Sequence, residues 1–406
     1  MKLVVIGASN SIIGEKGYIG ALRKTHEVVN LSAGDVPIFF TLSKILTKQE
    51  DIAQADYIIL DHSISDRLSY FPKLREDYTC EIQDIYRILT SINPNVISVI
   101  FPLKLISKPH EKYLQEMEAI CRRQSVYFVN FQPIATDINF FEDVAHVHCE
   151  VSYLMGLCLG QFISGLRLRH RTKPAMADHG YVVREARSVS PNQKVLRFKS
   201  SLAEAEYVVI NSNTTLKFEQ QHQAVYIEYV VLRDDPRWMA LEINGGANYY
   251  GGLNITGDLI SGSAAKTFVL SSIKDERELQ LNFSRGPAIS TRYCPMNLVR
   301  MILRKEDWKL EHTHLPAFER HDFDITTLAH NLERLKHYGW FEQMQDLSDQ
   351  AAGIIHQFNQ KGMVNHKRYF SDTVEKGNSV RKKRMEVFWN SNPLDLSDSL
   401  GINPAL

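Results

Sequence analysis

The chain has 406 residues, of which 44% are hydrophobic and 23% are charged, and these values are typical of a folded, water-soluble protein. At this length we expect two or three domains rather than a single core. The 47 Lys and Arg residues balance 47 Asp and Glu residues, so no overall field draws the chain to nucleic acid, and no nucleic-acid partner is predicted.

The first 170 residues alternate short apolar runs with amphipathic segments. Apolar residues recur every three or four positions at 81–92 and 112–122, which is helical spacing. Such alternation predicts an α/β domain with a doubly wound parallel sheet and helices on both faces. The predicted strands are residues 3–6, 27–31, 57–60, 96–101 and 126–131, and a last apolar helix is predicted at 151–162.

The rest of the chain divides into two further predicted regions. Residues 175–305 carry short β-prone runs separated by Gly, Asn, Asp and Ser clusters, which predicts a β-sandwich or jelly-roll domain. Within it, Asn248, Tyr249 and Tyr250 are interpreted as core and turn residues of the sandwich, and stacking of sugars on the aromatic faces is the alternative. Residues 306–406 are predicted to be helical, with helices at 325–337 and 341–358 and a polar tail.

The sequence also carries signals of location. The five cysteines are scattered without a CxxC pair, which fits neither a disulfide framework nor a zinc site. The apolar run at 3–6 is shorter than that of a signal peptide, and no run approaches the roughly 18 apolar residues of a membrane span. We therefore predict a cytoplasmic protein without a transmembrane segment. A basic run at 381–384 allows weak peripheral membrane contact, with a solvated helix face as the alternative.

A Gly-Ala-Ser-Asn-Ser run at residues 7–11 directly follows the first predicted strand. Ser9 therefore lies at the carboxyl edge of the predicted sheet, where open α/β sheets place their sites. Backbone N–H groups at the start of a following helix could stabilise a developing oxyanion there. An ordinary turn with a helix N-cap is the alternative. The run completes neither a dinucleotide fingerprint nor a GxSxG elbow, because Ser11 occupies the place of the last glycine.

Asp143 and His146 lie in the loop between the fifth strand and the last helix of the predicted sheet. A neutral imidazole is the usual base for a serine hydroxyl, and a carboxylate orients it. Loops after strands one and five open on the same edge, so this pair and Ser9 can converge. The alternatives are an exposed loop pair, or metal binding by His146 and His148. No third ligand is evident, so we predict no metal site.

Together these blocks resemble the SGNH, or GDSL-type, hydrolases over residues 1–165. The resemblance rests on G-x-S after strand one, a glycine in the block 30–34, a polar block at 61–66 and D-x-x-H at 143–146. It implies flavodoxin-like strand order, with Ser9 as nucleophile, His146 as base and Asp143 as the residue that orients the base. It also implies that the oxyanion is stabilised by Ser9, Gly34 and Ser65.

The chain departs from the pattern of this family at two positions. Ala8 replaces the usual Asp before the nucleophile, and Ser65 stands where the family has an asparagine that donates its amide to the oxyanion. Loss of one oxyanion donor typically costs about 10²–10³ in turnover. Asn10, His62 and His148 are predicted to contact the substrate.

The resemblance implies chemistry through an acyl-serine, which either water or a sugar hydroxyl can resolve. The appended β-domain resembles those of carbohydrate-active enzymes, so the expected partner is a glycan. We predict an O-acetyltransferase that modifies a bacterial surface (capsular) polysaccharide, with acetyl-CoA as donor and no permanently bound cofactor. The alternatives are a carbohydrate acetylesterase and an inactive SGNH-fold module that binds glycans.

Overall fold

The computed structural model describes somewhat more than half of the chain, and the last residue that it describes is 332. The described residues are 1–12, 17–34, 36–67, 77–104, 106, 108–135, 140–142, 145–169, 180–189, 192–199, 204–211, 214–231, 239–243, 247–251, 264–269, 276–284, 296–305, 323–326, 328–329 and 332.

Five parallel strands form the first sheet, in the order β2-β1-β3-β4-β5. This order confirms the predicted doubly wound sheet with flavodoxin-like topology, and each strand lies within about one residue of its predicted bounds. Because the strands are parallel, their carboxyl ends meet at one edge. The strands are β1 (Lys2–Gly7), β2 (Glu27–Asn30), β3 (Tyr57–Asp61), β4 (Val96–Ile100) and β5 (Tyr127–Asn130).

Helices cover both faces of the parallel sheet. Side chains alternate between the faces along each strand, so Val4 and Ile6 pack against α3, α6 and α7, while Leu3 and Val5 pack against α2 and α8. The helices are α1 (Ser9–Ile12), α2 (Tyr18–Leu22), α3 (Phe40–Thr47), α4 (Gln49–Gln54), α5 (Ser63–Ser65), α6 (Asp77–Ile92), α7 (Lys108–Arg123) and α8 (Cys149–Gly165).

Helices α2 and α8 approach each other closely at Gly156. A Cβ atom added to Gly156 would lie 2.5 Å from the carbonyl oxygen of Tyr18 and 2.7 Å from the Cβ of Ala21. One turn earlier on α8, the Ser152 hydroxyl accepts a hydrogen bond of 3.1 Å from the Tyr18 N–H. The glycine therefore sets the spacing of two helices, one of which follows the segment that carries Ser9.

We expect Gly156→Ala to lower the free energy of unfolding by about 1–3 kcal/mol, because the new methyl group meets backbone atoms that cannot rotate away. Gly165→Ala on the same helix is the matched control, since no atom lies within 4 Å of its added Cβ. Urea denaturation of both variants measures the difference. Equal stability of the two variants would show that the helices move apart without cost.

The second sheet is antiparallel, which confirms the predicted β-rich region. Its strand order is β11-β10-β13-β9-β14-β8-β7, with β12 paired to β9 and β6 paired to β14. The strands are β6 (Tyr181–Glu185), β7 (Leu196–Lys199), β8 (Glu204–Ile210), β9 (Thr214–Val231), β10 (Met239–Ile243), β11 (Ala247–Gly251), β12 (Ala264–Val269), β13 (Glu276–Ser284) and β14 (Met296–Lys305), and a short helix α9 (Ala186–Val189) follows β6.

Three of these strands differ from the sequence interpretation. Strand β9 begins at Thr214 and includes a polar first half that is not β-prone by sequence, because that half pairs with β13. Strand β14 was not predicted, although it pairs with β6, β8 and β9. Tyr249 and Tyr250 lie in β11, opposite Leu241 and Ala240 of β10, so the turn predicted there is corrected to a strand.

The two sheets share a buried core. Tyr181, Tyr226 and Ile302 of the antiparallel sheet belong to the same apolar cluster as α3 and α6. At this boundary the Ser43 hydroxyl on α3 donates to Glu228 Oε2 at 3.1 Å, and the Arg300 Nε lies 3.4 Å from the same oxygen. The antiparallel sheet therefore packs directly on the helical face of the parallel one. The domain boundaries near 170 and 305 stay a prediction.

Part of the C-terminal region packs on the opposite face. Phe323 contacts Phe131 and Phe162, with ring centroids 5.1 and 5.4 Å apart, and Leu328 and Leu332 are buried in the same cluster. The predicted helix at 341–358 and the basic run at 381–384 lie outside the described residues, as does most of the helix at 325–337. No helix in the described ranges is long and apolar enough to span a bilayer.

Candidate active site

Ser9 lies two residues beyond β1, at the carboxyl edge of the parallel sheet. It begins the short helix α1, and its side chain is half-buried. Its hydroxyl oxygen is 2.8 Å from the Nε2 atom of His146, which lies between β5 and α8. This distance is that of a hydrogen bond between a nucleophile and its base.

The backbone around His146 folds back on itself and holds the imidazole in place. The Glu142 N–H donates to the His146 carbonyl at 2.8 Å, and the His148 N–H donates to the Phe140 carbonyl at 2.9 Å. An antiparallel bridge joins Phe141 and Val147 between these bonds. Asp143, the predicted orienting carboxylate, lies outside the described residues, so its role stays a prediction.

Two of the predicted oxyanion donors lie on loops at the same edge. Gly34 follows β2, and a Cβ atom added to it would come within 3.2 Å of the Ile12 Cδ1 atom, so it borders the helix that Ser9 begins. The preceding Ala33 N–H donates to the Gly7 carbonyl at 3.1 Å. Ser65 is buried in α5, directly after β3. Donation by these groups to an oxyanion stays a prediction.

A buried chain of hydroxyl groups lies beneath the nucleophile. The Tyr18 hydroxyl is 2.5 Å from the Ser11 hydroxyl, which donates at 2.7 Å to Oδ2 of Asp61. All three side chains are almost inaccessible to solvent. A Cβ atom on Gly7 would lie 2.2 Å from the Ser11 hydroxyl and 2.8 Å from the Asp61 carbonyl, so only glycine permits this approach of β1 to β3.

Burial raises the pKa of Asp61 from its ordinary value to about 7. The hydrogen bond from Ser11 and the positive charges of His146 and Arg67 act in the opposite direction. Burial likewise raises the pKa of Tyr18 well above its ordinary value, so this phenol stays neutral and serves as a donor. The site thus contains a carboxylate whose charge changes near neutral pH.

The three predicted substrate contacts are all buried. Asn10, His62 and His148 expose 2%, 3% and 1% of their surfaces. The His62 ring nitrogens lie 3.0 Å from the Thr41 hydroxyl and 3.3 Å from the Val36 carbonyl, and burial lowers the pKa of this histidine to about 4. His62 thus joins α3 to the loop after β3, which argues against a substrate contact. The contacts of Asn10 and His148 stay predictions.

Arg67 connects the loops that follow three neighbouring strands. It is fully buried after β3, where its guanidinium donates to the Phe101 carbonyl after β4 and, at 2.7 Å, to Gln132 Oε1 after β5. It also donates to the Ser63 carbonyl at 3.1 Å. Burial lowers its pKa to about 10, so it remains a cation at neutral pH. Arg67 therefore holds the edge of the sheet that carries the site.

Sequence reasoning did not assign roles to Ser11, Tyr18, Asp61 or Arg67. For Asp61 a signal exists, because it is a carboxylate at the end of an apolar strand that is buried along its whole length. Tyr18 and Arg67 carry no such local signal, since Tyr18 bonds Ser152 across 134 residues and Arg67 bonds Gln132 across 65. Among the described residues, no group of three His, Cys, Asp or Glu side chains could hold a metal ion.

Comparison with known proteins finds similarity in structure alone. No protein-family model and no curated protein matches the sequence. A two-domain esterase active on acetylated mannans, co-crystallised with mannopentaose, aligns with 12% identity and a TM-score of 0.50, over 75% of this chain and 92% of that one. The acetyl xylan esterase AlAXEase aligns with 13% identity and a TM-score of 0.34, over 41% and 100% of the two chains.

A GDSL-like lipase from Bacteroides thetaiotaomicron aligns over 41% of this chain and 89% of that one, with 12% identity and a TM-score of 0.34. The match to the two-domain esterase covers more of this chain than the parallel-sheet region contains, so it extends into the antiparallel sheet. At 12% identity, the match to the two-domain esterase establishes the fold alone. The chain therefore begins with a domain of the SGNH-hydrolase fold, to which an antiparallel β-sheet is joined.

Proposed function

We propose that this protein is a serine-dependent acyl-ester enzyme that removes acetyl groups from a carbohydrate. The observation that carries the proposal is the 2.8 Å contact between the Ser9 hydroxyl and His146 Nε2 at the carboxyl edge of the sheet. A serine hydroxyl is a weak nucleophile until a neighbouring base removes its proton. This pair therefore supplies the minimum chemistry for acyl transfer, and it argues against an inactive binding module.

The reaction proceeds in two halves. The Ser9 oxygen attacks the acetyl carbonyl while His146 Nε2 takes the hydroxyl proton, and the imidazolium then protonates the departing sugar oxygen. Water attacks the resulting acetyl-serine with His146 again as base, which releases acetate. N–H groups of Ser9 and Gly34 and the Ser65 hydroxyl are the proposed donors to the oxyanion.

The carbohydrate assignment is supported by the comparison with the two-domain esterase, which is active on acetylated mannans. The alignment covers 92% of the length of that protein and 75% of this chain. Hydrolysis is the favoured direction for this reason. O-acetylation of a bacterial surface polysaccharide from acetyl-CoA remains the second candidate, because the same acetyl-serine serves both reactions.

The test gives purified full-length protein and Ser9→Ala three substrates: acetylated manno- and xylo-oligosaccharides, p-nitrophenyl acetate, and acetyl-CoA with deacetylated oligosaccharides. We expect acetate release from the acetylated sugars by wild type only. Acetyl-CoA consumption that requires a sugar and also requires Ser9 would establish the transferase instead. If Ser9→Ala cleaved the esters as fast as wild type, or wild type were inactive on all three, the proposal would be wrong.

A further inference from the structure

We propose that Asp61 is a positioning residue for the chemistry of Ser9, and that its buried carboxylate stabilises the positive charge that His146 gains on taking the Ser9 proton. This inference rests on the proposed function. It assigns a role to a carboxylate outside the predicted Ser9, Asp143 and His146 triad.

Asp61 holds the nucleophile segment on both sides of Ser9. Its backbone carbonyl accepts the Ala8 N–H at 2.6 Å, one residue before the nucleophile. Its side chain accepts the Ser11 hydroxyl at 2.7 Å, two residues after it. Residue 61 also lies opposite Gly7 in the pairing of β1 with β3. Asp61, at the end of β3, thus fixes the course of the chain from the end of β1 through Ser9.

The surroundings of Asp61 determine what its charge does. The charged and titratable groups that face it are Tyr18 from α2, Arg67 from the segment after α5, and His146 from the loop before α8, as far as the described residues extend. Tyr18 is neutral and Arg67 is a fixed cation. His146 is the group whose charge changes during the reaction, because it accepts the proton of Ser9.

The charge of Asp61 lies away from solvent. Asp61 is fully buried, and its carboxyl group interacts electrostatically with His146 and with the cation Arg67. A charge in such surroundings acts over several ångströms, whereas the same charge at the surface is screened. Ionised Asp61 therefore favours the imidazolium form of His146, while the proton of Ser9 passes to His146 and not to Asp61.

The experiment measures how fast a fluorophosphonate labels Ser9 in the full-length protein between pH 5 and 9. In this step the Ser9 oxygen bonds to phosphorus, fluoride leaves, and the hydroxyl proton passes to His146. Wild type is compared with Asp61→Asn, which keeps an acceptor for Ser11 but removes the charge. It is also compared with Ser11→Ala, which keeps the carboxyl group of Asp61 but removes the hydroxyl that stabilises its charged form.

The two variants should move the acidic limb of the pH profile in opposite directions. Without the carboxylate, the imidazolium is less favourable, so Asp61→Asn should lower the plateau rate on the order of 10-fold and move the midpoint down by about one pH unit. Without its donor, the carboxyl of Asp61 has a higher pKa, so Ser11→Ala should move the midpoint to higher pH.

A lower plateau with an unchanged midpoint in both variants would reduce Asp61 to a structural role and overturn the inference. Equal profiles for wild type and Asp61→Asn would overturn it as well, while labelling of wild type would leave the proposed function standing. Absence of labelling in wild type would overturn the proposed function together with the inference. If Asp61→Asn does not fold, as judged by circular dichroism, the direction of the Ser11→Ala shift decides the question.

Discussion

Replacing Ser9 or His146 by alanine is expected to lower kcat on an acetyl ester by about 10⁴–10⁶-fold, and the double variant is expected to be no slower than either single variant. The reason is the 2.8 Å contact between the two side chains. His146 without Ser9 has no proton to take, and Ser9 without His146 keeps its proton and stays a weak nucleophile. Each residue therefore works only in the presence of the other.

The measurement is acetate release by the four proteins of this cycle, each checked for folding by thermal unfolding. Ser164→Ala is the matched control for loss of a serine hydroxyl, because Ser164 lies at the far end of α8 and its hydroxyl donates to the Gly160 carbonyl of its own helix. It should retain wild-type activity. Losses that multiply in the double variant would show that Ser9 and His146 act separately, which the contact between them contradicts.

The parts of the fold that local pattern governs could be predicted from the sequence. Strands β1, β3 and β4 are short apolar runs that are buried on both faces, so their bounds follow from composition alone. The convergence of Ser9 with His146 could also be predicted, because strand order places the ends of β1 and β5 at one edge. Both inferences use periodicity or topology, and neither needs tertiary contacts.

The antiparallel sheet was harder to predict because pairing overrides local preference there. The first half of β9 is polar, yet it is a strand because β13 supplies its hydrogen bonds. The run of β14 is interrupted by Arg300, whose guanidinium reaches Ser43 and Glu228 in the buried boundary. From sequence alone, a charged residue in a strand predicts a solvent-exposed position. Only the tertiary partners of Arg300 show that it lies in the buried boundary.

In the candidate site, too, some features follow from local sequence and others depend on tertiary partners. The nucleophile and base belong to recognisable blocks, whereas Asp61 meets Ser11 across 50 residues and Arg67 meets Gln132 across 65. Which residues become partners depends on which loops lie at the same edge of the sheet. The spacing of residues along the chain does not indicate this. Ser65 is the opposite case, because the structure places it after β3 as predicted. Its proposed role as an oxyanion donor involves the substrate, so the fold alone does not reveal that role.

Arg67→Met is expected to lower the free energy of unfolding by about 3–5 kcal/mol, the largest effect on stability among these variants. Methionine fills much of the same volume but donates no hydrogen bond. The Phe101 and Ser63 carbonyls would lose a charged donor in the interior, where an unpaired acceptor is costly. Asp61 and Asp66 would also lose their common cation.

Urea unfolding of Arg67→Met and of Arg122→Met provides the comparison. Arg122 pairs with Glu118 at 2.6 Å, but its side chain is 63% exposed, so its loss should cost less than about 0.5 kcal/mol. Both substitutions remove one arginine charge, and they differ only in burial and in the partners left behind. Equal costs would mean that the loops after β3, β4 and β5 keep their arrangement without Arg67. A large difference would identify Arg67 as the residue that holds together the edge on which Ser9 and His146 meet.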